Sequence, residues 1–156
     1  MDSVDTPSDK ENSNGATTNS REVHDVIIVG AGAAGIGVAI SVAHSGVENF
    51  LIVDRKGVGS SFAAWPAETR FITPSFPSNS IGMLDLNSVA IGVSPAFNMR
   101  IEHPNGQEFA EHLQGLADYF ELPIREDTNI LSLEKIDELF HLEAEEGILF
   151  AKKVIW

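Results

Sequence analysis

The sequence contains no cysteine. Within these residues that excludes a disulfide framework, a thiolate metal site and a redox-active cysteine pair. Positive charge is scarce too: 10 Lys and Arg stand against 23 Asp and Glu, a formal net charge of −13. Nucleic acid and anionic membrane surfaces each require a basic face, so neither is expected as a partner. A phosphate-bearing ligand would have to be held by local backbone dipoles against a repelling field. No apolar run reaches the roughly 18–20 residues of a membrane span, and no basic-then-apolar signal pattern opens the chain. A cytoplasmic location is therefore the default expectation.

What is present suits one globular domain. The 156 residues are 43% hydrophobic, enough to bury a core. Residues 1–22 are the exception, because Ser, Asn, Asp and Thr dominate them and almost nothing there can be buried. They are expected to form a disordered tail ahead of a domain over 23–156. Val23–Val29 reads as a strand buried on both faces, and Ala33 to about Ser45 as a helix apolar on nearly every side, ended by Gly46. "NFLIVDR" is a second short buried strand that ends in Asp54.

From Lys56 to about Pro104 the chain is rich in Gly, Pro and Ser and keeps neither period. Irregular segments of this length in compact domains often serve function. Order returns with "NGQEFAEHLQGLADYFEL", where Phe109, Leu113, Leu116, Ala117 and Phe120 share one helical face. A short strand in "LPIRED" and three strands in "TNILSLEKI", "LFHLEAE" and "ILFAKKVIW" follow, the last two joined by a turn at Glu145–Gly147.

The strand-to-helix junction carries the chemistry. Gly30, Gly32 and Gly35 form G-x-G-x-x-G, and each glycine has its own task. Gly30 permits the tight turn out of the strand. Gly32 leaves room for a diphosphate to approach the backbone, and Gly35 lets the helix pack closely on the strand. The helix N-terminus adds free amides and about half a positive charge, with Ala31, Ala33 and Ala34 as the expected donors. Asp54 stands 24 residues after Gly30, close to the offset expected of a carboxylate that binds ribose hydroxyls. Strand, glycines, helix, strand and carboxylate together predict a dinucleotide site. An Asp there repels a 2′-phosphate, which disfavours NADP at this position, whereas NAD and FAD share the adenosine diphosphate half and are not separated. Arg55, beside it, is expected over the adenine or near a phosphate.

These residues resemble a family. "DVIIVGAGAAGIGVAISVAHSGVENFLIVDR", with "GVGSSFAAWPAETRFITPSF" and "EFAEHLQGLADYFELPIREDTNI", is similar to the N-terminal part of flavin-containing monooxygenase-like flavoproteins, within the FAD/NAD(P)-binding oxidoreductases that have two dinucleotide-binding domains. The resemblance spans about Val23 to Trp156. It implies an α/β fold, a Rossmann-like parallel sheet with an inserted small β-meander, here an incomplete FAD-binding domain. It implies FAD as cofactor, with Asp54 on the adenosine ribose and the Ile130 backbone at the adenine. Family members carry Gly-Gly-x-Trp beside the flavin. Gly59, Ser60, Ser61 and Phe62 stand there in this chain, with Trp65 three residues on, so Ser61, Phe62 and Trp65 are candidate flavin contacts. For Trp65 a plain packing role is the competing reading.

The resemblance further implies that "AKKVIW" returns to the parallel sheet. One glycine motif is present, so NAD(P)H is expected only for a complete enzyme with a second nucleotide domain. The implied reaction oxidises a small organic substrate with NAD(P)H and oxygen, the flavin doing the electron chemistry. No catalytic acid, base or nucleophile is identified. The five histidines lack metal-ligand spacing and read as surface or helix residues, so no metal is expected. Two rival functions remain: a non-catalytic dinucleotide-binding remnant, and an NAD-dependent dehydrogenase domain, the latter disfavoured by the long segment after Asp54 and by the meander.

Overall fold

The computed structural model describes residues 21–76 and 85–156. The expected tail falls almost entirely outside the described residues. Among the described residues, six strands and four helices follow in the order β1 (Val23–Val29), α1 (Ala33–His44), β2 (Phe50–Val53), α2 (Ser60–Ala63), α3 (Pro95–Asn98), α4 (Gly106–Tyr119), β3 (Ile124–Arg125), β4 (Ile130–Ile136), β5 (Leu139–Ala144) and β6 (Gly147–Ile155). They form a single sheet in the order β3-β2-β1-β6-β5-β4. Strand β1 pairs in parallel with β2 and β6, and β2 in parallel with β3. Strands β4, β5 and β6 pair antiparallel.

The meander is thus joined to the parallel sheet through β6. The first half of β6 pairs with β5, while Phe150–Ile155 runs beside Val23–Ile28. The expected returning strand is present.

From Val26 to Val29, β1 is apolar without alternation because both its faces are covered. Val26 and Ile28 turn to the helix side, where they join Ile36 and Ile40 of α1 and Phe109 and Leu113 of α4. Ile27 turns the other way and packs with Leu51, Val53, Leu142 and Ala151, so meander residues close the opposite face. A strand with solvent on one side would carry polar residues at every second position.

Helix α4 begins with a reciprocal capping box: the Glu108 amide donates to the Asn105 side chain at 2.8 Å, and the Asn105 amide donates to the Glu108 carboxylate at 2.7 Å. Its buried face is the predicted one, Phe109, Leu113, Leu116 and Ala117, with Phe120 partly buried behind them. Helix α1 ends as expected at Gly46, which takes a left-handed φ of 83°.

The segment between β2 and α4 holds only the short helices α2 and α3 among its described residues. Buried polar side chains organise much of the rest. The Asn87 side-chain amide donates to the Thr73 carbonyl and the Ser75 hydroxyl, both at 2.8 Å. The Asn87 backbone amide donates to Asp85 at 2.9 Å, and the Ser94 hydroxyl also donates to that carboxylate. Segments more than ten residues apart are tied together in this way, and buried polar groups are left few unpaired positions. The same segment lies hard against α1, since a Cβ built on Gly37 would stand 2.5 Å from the Val89 carbonyl oxygen.

Candidate dinucleotide-binding site

Parallel pairing places the C-terminal ends of β1 and β2 side by side, with Val29 opposite Val53. Gly30 follows β1 with φ 108°, a backbone conformation that a side chain disfavours. Gly32 is the N-cap of α1, and no side chain caps that helix end. A Cβ built on Gly32 would meet nothing within 4 Å, so open space lies in front of the turn. At Gly35 the reverse holds: its Cβ would run into the carbonyl of Gly30, which is why the helix can sit directly on the strand.

Asp54 closes this junction from the β2 side. Its Oδ2 accepts the Ala31 amide at 2.8 Å, and its Oδ1 accepts the amides of Lys56 at 2.8 Å and Gly57 at 2.9 Å. Burial alone would push this carboxyl's pKa up. The amides of Gly57, Ala31 and Lys56 and the adjacent Arg55 guanidinium outweigh it, and the pKa lies below the ordinary value. The site carboxylate is therefore held ionised and also latches the glycine turn to the second strand. A further amide, that of Gly59, donates to the Ala31 carbonyl at 3.0 Å and anchors the start of α2 on the same turn.

A cleft of about 490 Å³ opens over this junction. Six of the sequence-predicted residues line it: Gly30, Gly32, Asp54, Arg55, Ser61 and Ile130. Ala33, Ala34 and Phe62 face a second cleft, of about 690 Å³, that runs along α1 from Ala33 to Ser45. Ala31 is buried with its amide on Asp54, and Gly35 lies against Gly30, so these two build the turn from behind.

Trp65 stands in an aromatic cluster, with ring centroids 5.3 Å from Phe62 and 5.2 Å from Phe71. Phe109 completes the cluster, 4.9 Å from Phe62 and 4.6 Å from Phe71.

Lys56, Ser60, Thr128, Asn129 and Trp156 also line the first cleft and were not singled out from sequence. Adjacency to Asp54 and Ser61 would have pointed to Lys56 and Ser60. The other three arrive only through pairing: the Thr128 amide donates to the Asp54 carbonyl at 2.8 Å, and β6 runs beside β1 towards Gly30.

Of the histidines expected on the surface or on helices, His24 departs, being buried on a strand, and His112 lies on a helix as expected but is buried. The His24 ring lies 3.2 Å from the Asn49 side-chain oxygen. No group of three or more His, Asp or Glu side chains able to hold a metal ion occurs among the described residues. None of the described helices is long and apolar enough to cross a membrane.

The fold is that of a Rossmann-like α/β domain, a class in which dinucleotides bind at this strand–helix–strand junction. Residues 27–156 match the family model described as pyridine nucleotide-disulphide oxidoreductase, and the chain belongs to that family. An uncharacterized CzcO-like oxidoreductase of Geobacillus kaustophilus is 26% identical over 135 residues, covering 86% of this chain and 36% of that protein. Among solved structures, the bacillithiol disulfide reductase Bdr (YpdA) of Staphylococcus aureus superposes with a TM-score of 0.68 at 18% identity, covering 85% of this chain and 37% of that one. A flavin-containing monooxygenase of Stenotrophomonas maltophilia gives a TM-score of 0.65 at 17% identity, with 85% and 37% covered. Both branches, monooxygenase and disulfide reductase, share the fold seen here. The chain spans somewhat more than a third of the length of these relatives.

Proposed function

We propose that this chain binds FAD at the β1–α1–β2 junction and forms the FAD-binding part of a monooxygenase-type oxidoreductase. The observation that carries the reading is the first cleft, which gathers Gly30, Gly32, Asp54, Arg55, Ser61 and Ile130 around one opening. The residues fit the cofactor. A diphosphate can occupy the space that a Cβ on Gly32 would fill, facing the uncapped first turn of α1 and the amides of Ala33 and Ala34. With a net charge of −13, this local dipole is the main attraction for such an anion.

Asp54 has a narrower part than a free carboxylate would. Three backbone amides already occupy acceptor positions, and a carboxylate offers about four, so Oδ2 retains room for one ribose hydroxyl. Arg55, exposed at the cleft, offsets the carboxylate and stands where it can cover the adenine. Ile130 lines the cleft at the start of β4 and supplies the adenine edge of the site. The diphosphate would cross the α1 N-terminus between the two clefts. The flavin ring would then lie on the side of Phe62, whose aromatic neighbours, Trp65 among them, hold that wall in place.

Bound there, FAD would supply hydride acceptance and the reaction with oxygen, while the chain binds, orients and neutralises. NADP is expected as the electron donor of the complete enzyme, together with a small organic substrate, in a cytoplasmic setting. The name of the monooxygenase relative supports this reading, but the reductase relative supports a disulfide substrate instead. The absence of cysteine means that any dithiol for that alternative would have to come from outside these residues.

The experiment is a titration of the purified chain with FAD, FMN and NAD. A site built on the adenosine diphosphate half binds FAD and rejects FMN. Binding of NAD with no uptake of FAD would turn the reading to a dehydrogenase domain. FAD uptake is common to this reading and to a non-catalytic remnant, and NADPH oxidation by a protein that also carries a second nucleotide domain separates the two.

A further inference from the structure

The link between β3 and β4 reaches the first cleft at Thr128, Asn129 and Ile130. Its backbone is pinned on both sides of Asn129. The Thr128 amide donates to the Asp54 carbonyl at 2.8 Å, and Ile130 pairs with Ala144 of β5. Asn129 therefore stands one rung beyond that pair, opposite Glu145 in the turn between β5 and β6. Opposite side chains on antiparallel strands point the same way, with Cβ atoms about 5 Å apart. Here the two are bonded: Asn129 Nδ2 donates to Glu145 Oε1 at 3.1 Å.

This bond sets the direction of the amide. A carboxylate only accepts hydrogen bonds, so Glu145 selects the amide nitrogen and turns it towards itself. The amide oxygen is left over, and no donor among the described residues bonds to it. An amide without such a partner could present either end to a ligand. Held by Glu145, Asn129 offers an acceptor. Glu145 lies outside the cleft lining, so it acts only through Asn129.

We propose that Asn129 determines which base the adenosine end of the site accepts: its Oδ1 takes a hydrogen bond from the exocyclic amine of adenine, and Glu145 is the positioning residue that keeps this oxygen available. The inference rests on the reading of the first cleft as the adenosine end of an FAD site, and deepens it. Ile130, the next residue, supplies the adenine edge, and Arg55 stands where it can cover the face of the ring. A group in the plane of the base is then left to Asn129. Hypoxanthine has the shape of adenine but carries a carbonyl oxygen in place of the amine. Two acceptors would face one another, and neither would have a donor.

The test compares ADP with inosine diphosphate, which share ribose, diphosphate and charge. The readout is the concentration of each that displaces half of the FAD bound to the full chain. The unaltered chain is expected to favour ADP by about fivefold or more. Asn129→Ala should bring the two within about twofold of each other. Asn129→Asp retains an acceptor and should retain the preference, although both nucleotides bind more weakly. Glu145→Gln can accept or donate, so it frees the amide to turn and should narrow the ratio as Asn129→Ala does. Loss of the charge alone would move both nucleotides equally. An unchanged ratio in Asn129→Ala or Glu145→Gln, in a chain that holds FAD, overturns this inference and leaves the cofactor reading standing. A chain that takes up no FAD overturns both.

Discussion

Oδ2 of Asp54 accepts the backbone amide of Ala31 at 2.8 Å, across 23 residues of sequence. This bond joins the carboxylate at the end of β2 to the middle of the glycine turn, so the ribose-binding end of the proposed site and the diphosphate-binding end are held as one unit. Asp54→Ala removes the latch and leaves the amides of Ala31, Lys56 and Gly57 without their acceptor. It is expected to lower stability by about 1–3 kcal/mol and to weaken FAD binding. Thermal unfolding and FAD titration of the same variant measure the two losses.

The same carboxylate sets a pH dependence. Its folded pKa lies below the ordinary value of 3.8, so its stabilising contribution is complete above that value and is lost as the pH falls through the lower folded one. Asp54→Asn should therefore flatten the acid limb of the stability curve below about pH 4. Urea unfolding midpoints at a series of pH values check this.

His112 acts over a different range. Burial, opposed by the nearby Asp85 carboxylate, places its folded pKa below the ordinary 6.5. Its contribution is present above 6.5 and declines as the pH falls through the folded value, because protonation places a charge in a buried position. Replacing it with Leu should make stability less sensitive to pH below 6.5. A pH series of thermal midpoints for the two proteins shows the difference.

Two alanines placed three residues apart should behave in opposite ways. Gly32→Ala puts a methyl into open space and should leave folding nearly unchanged while weakening FAD binding at least tenfold. Gly35→Ala drives a methyl into the Gly30 carbonyl and should cost about 1–3 kcal/mol or more of stability. Unchanged FAD affinity in a folded Gly32→Ala protein would contradict the proposed position of the diphosphate.

Phe109 tests the wall opposite the glycine turn. It is 2% exposed and touches Phe62 and Phe71. Phe109→Ala is expected to cost about 3–5 kcal/mol, with the near-ultraviolet circular dichroism of the Trp65 cluster reporting the loss.

Local patterns made much of this legible in the sequence. The glycine spacing, the unbroken apolar strands and the 3.6-residue period of α4 each act over a few residues, and each element formed where its pattern stood. The strand ending at Ile155 likewise pairs with β1 as the resemblance implied. What was hidden depends on contacts between distant segments. That Asp54 would bond to Ala31 follows from the parallel register of β1 and β2, and that Trp65 would meet Phe71 and Phe62 follows from the path of an aperiodic segment. His24 and His112 look like ordinary polar positions until Asn49 and the α3 segment are folded against them.

The central claim is that this chain holds FAD at the β1–α1–β2 junction, and the visible absorption spectrum of the purified 156-residue protein tests it most directly. A flavin band, with FAD released on denaturation, is the predicted result, either as isolated or after incubation with FAD. A colourless protein that takes up no added FAD would contradict the account.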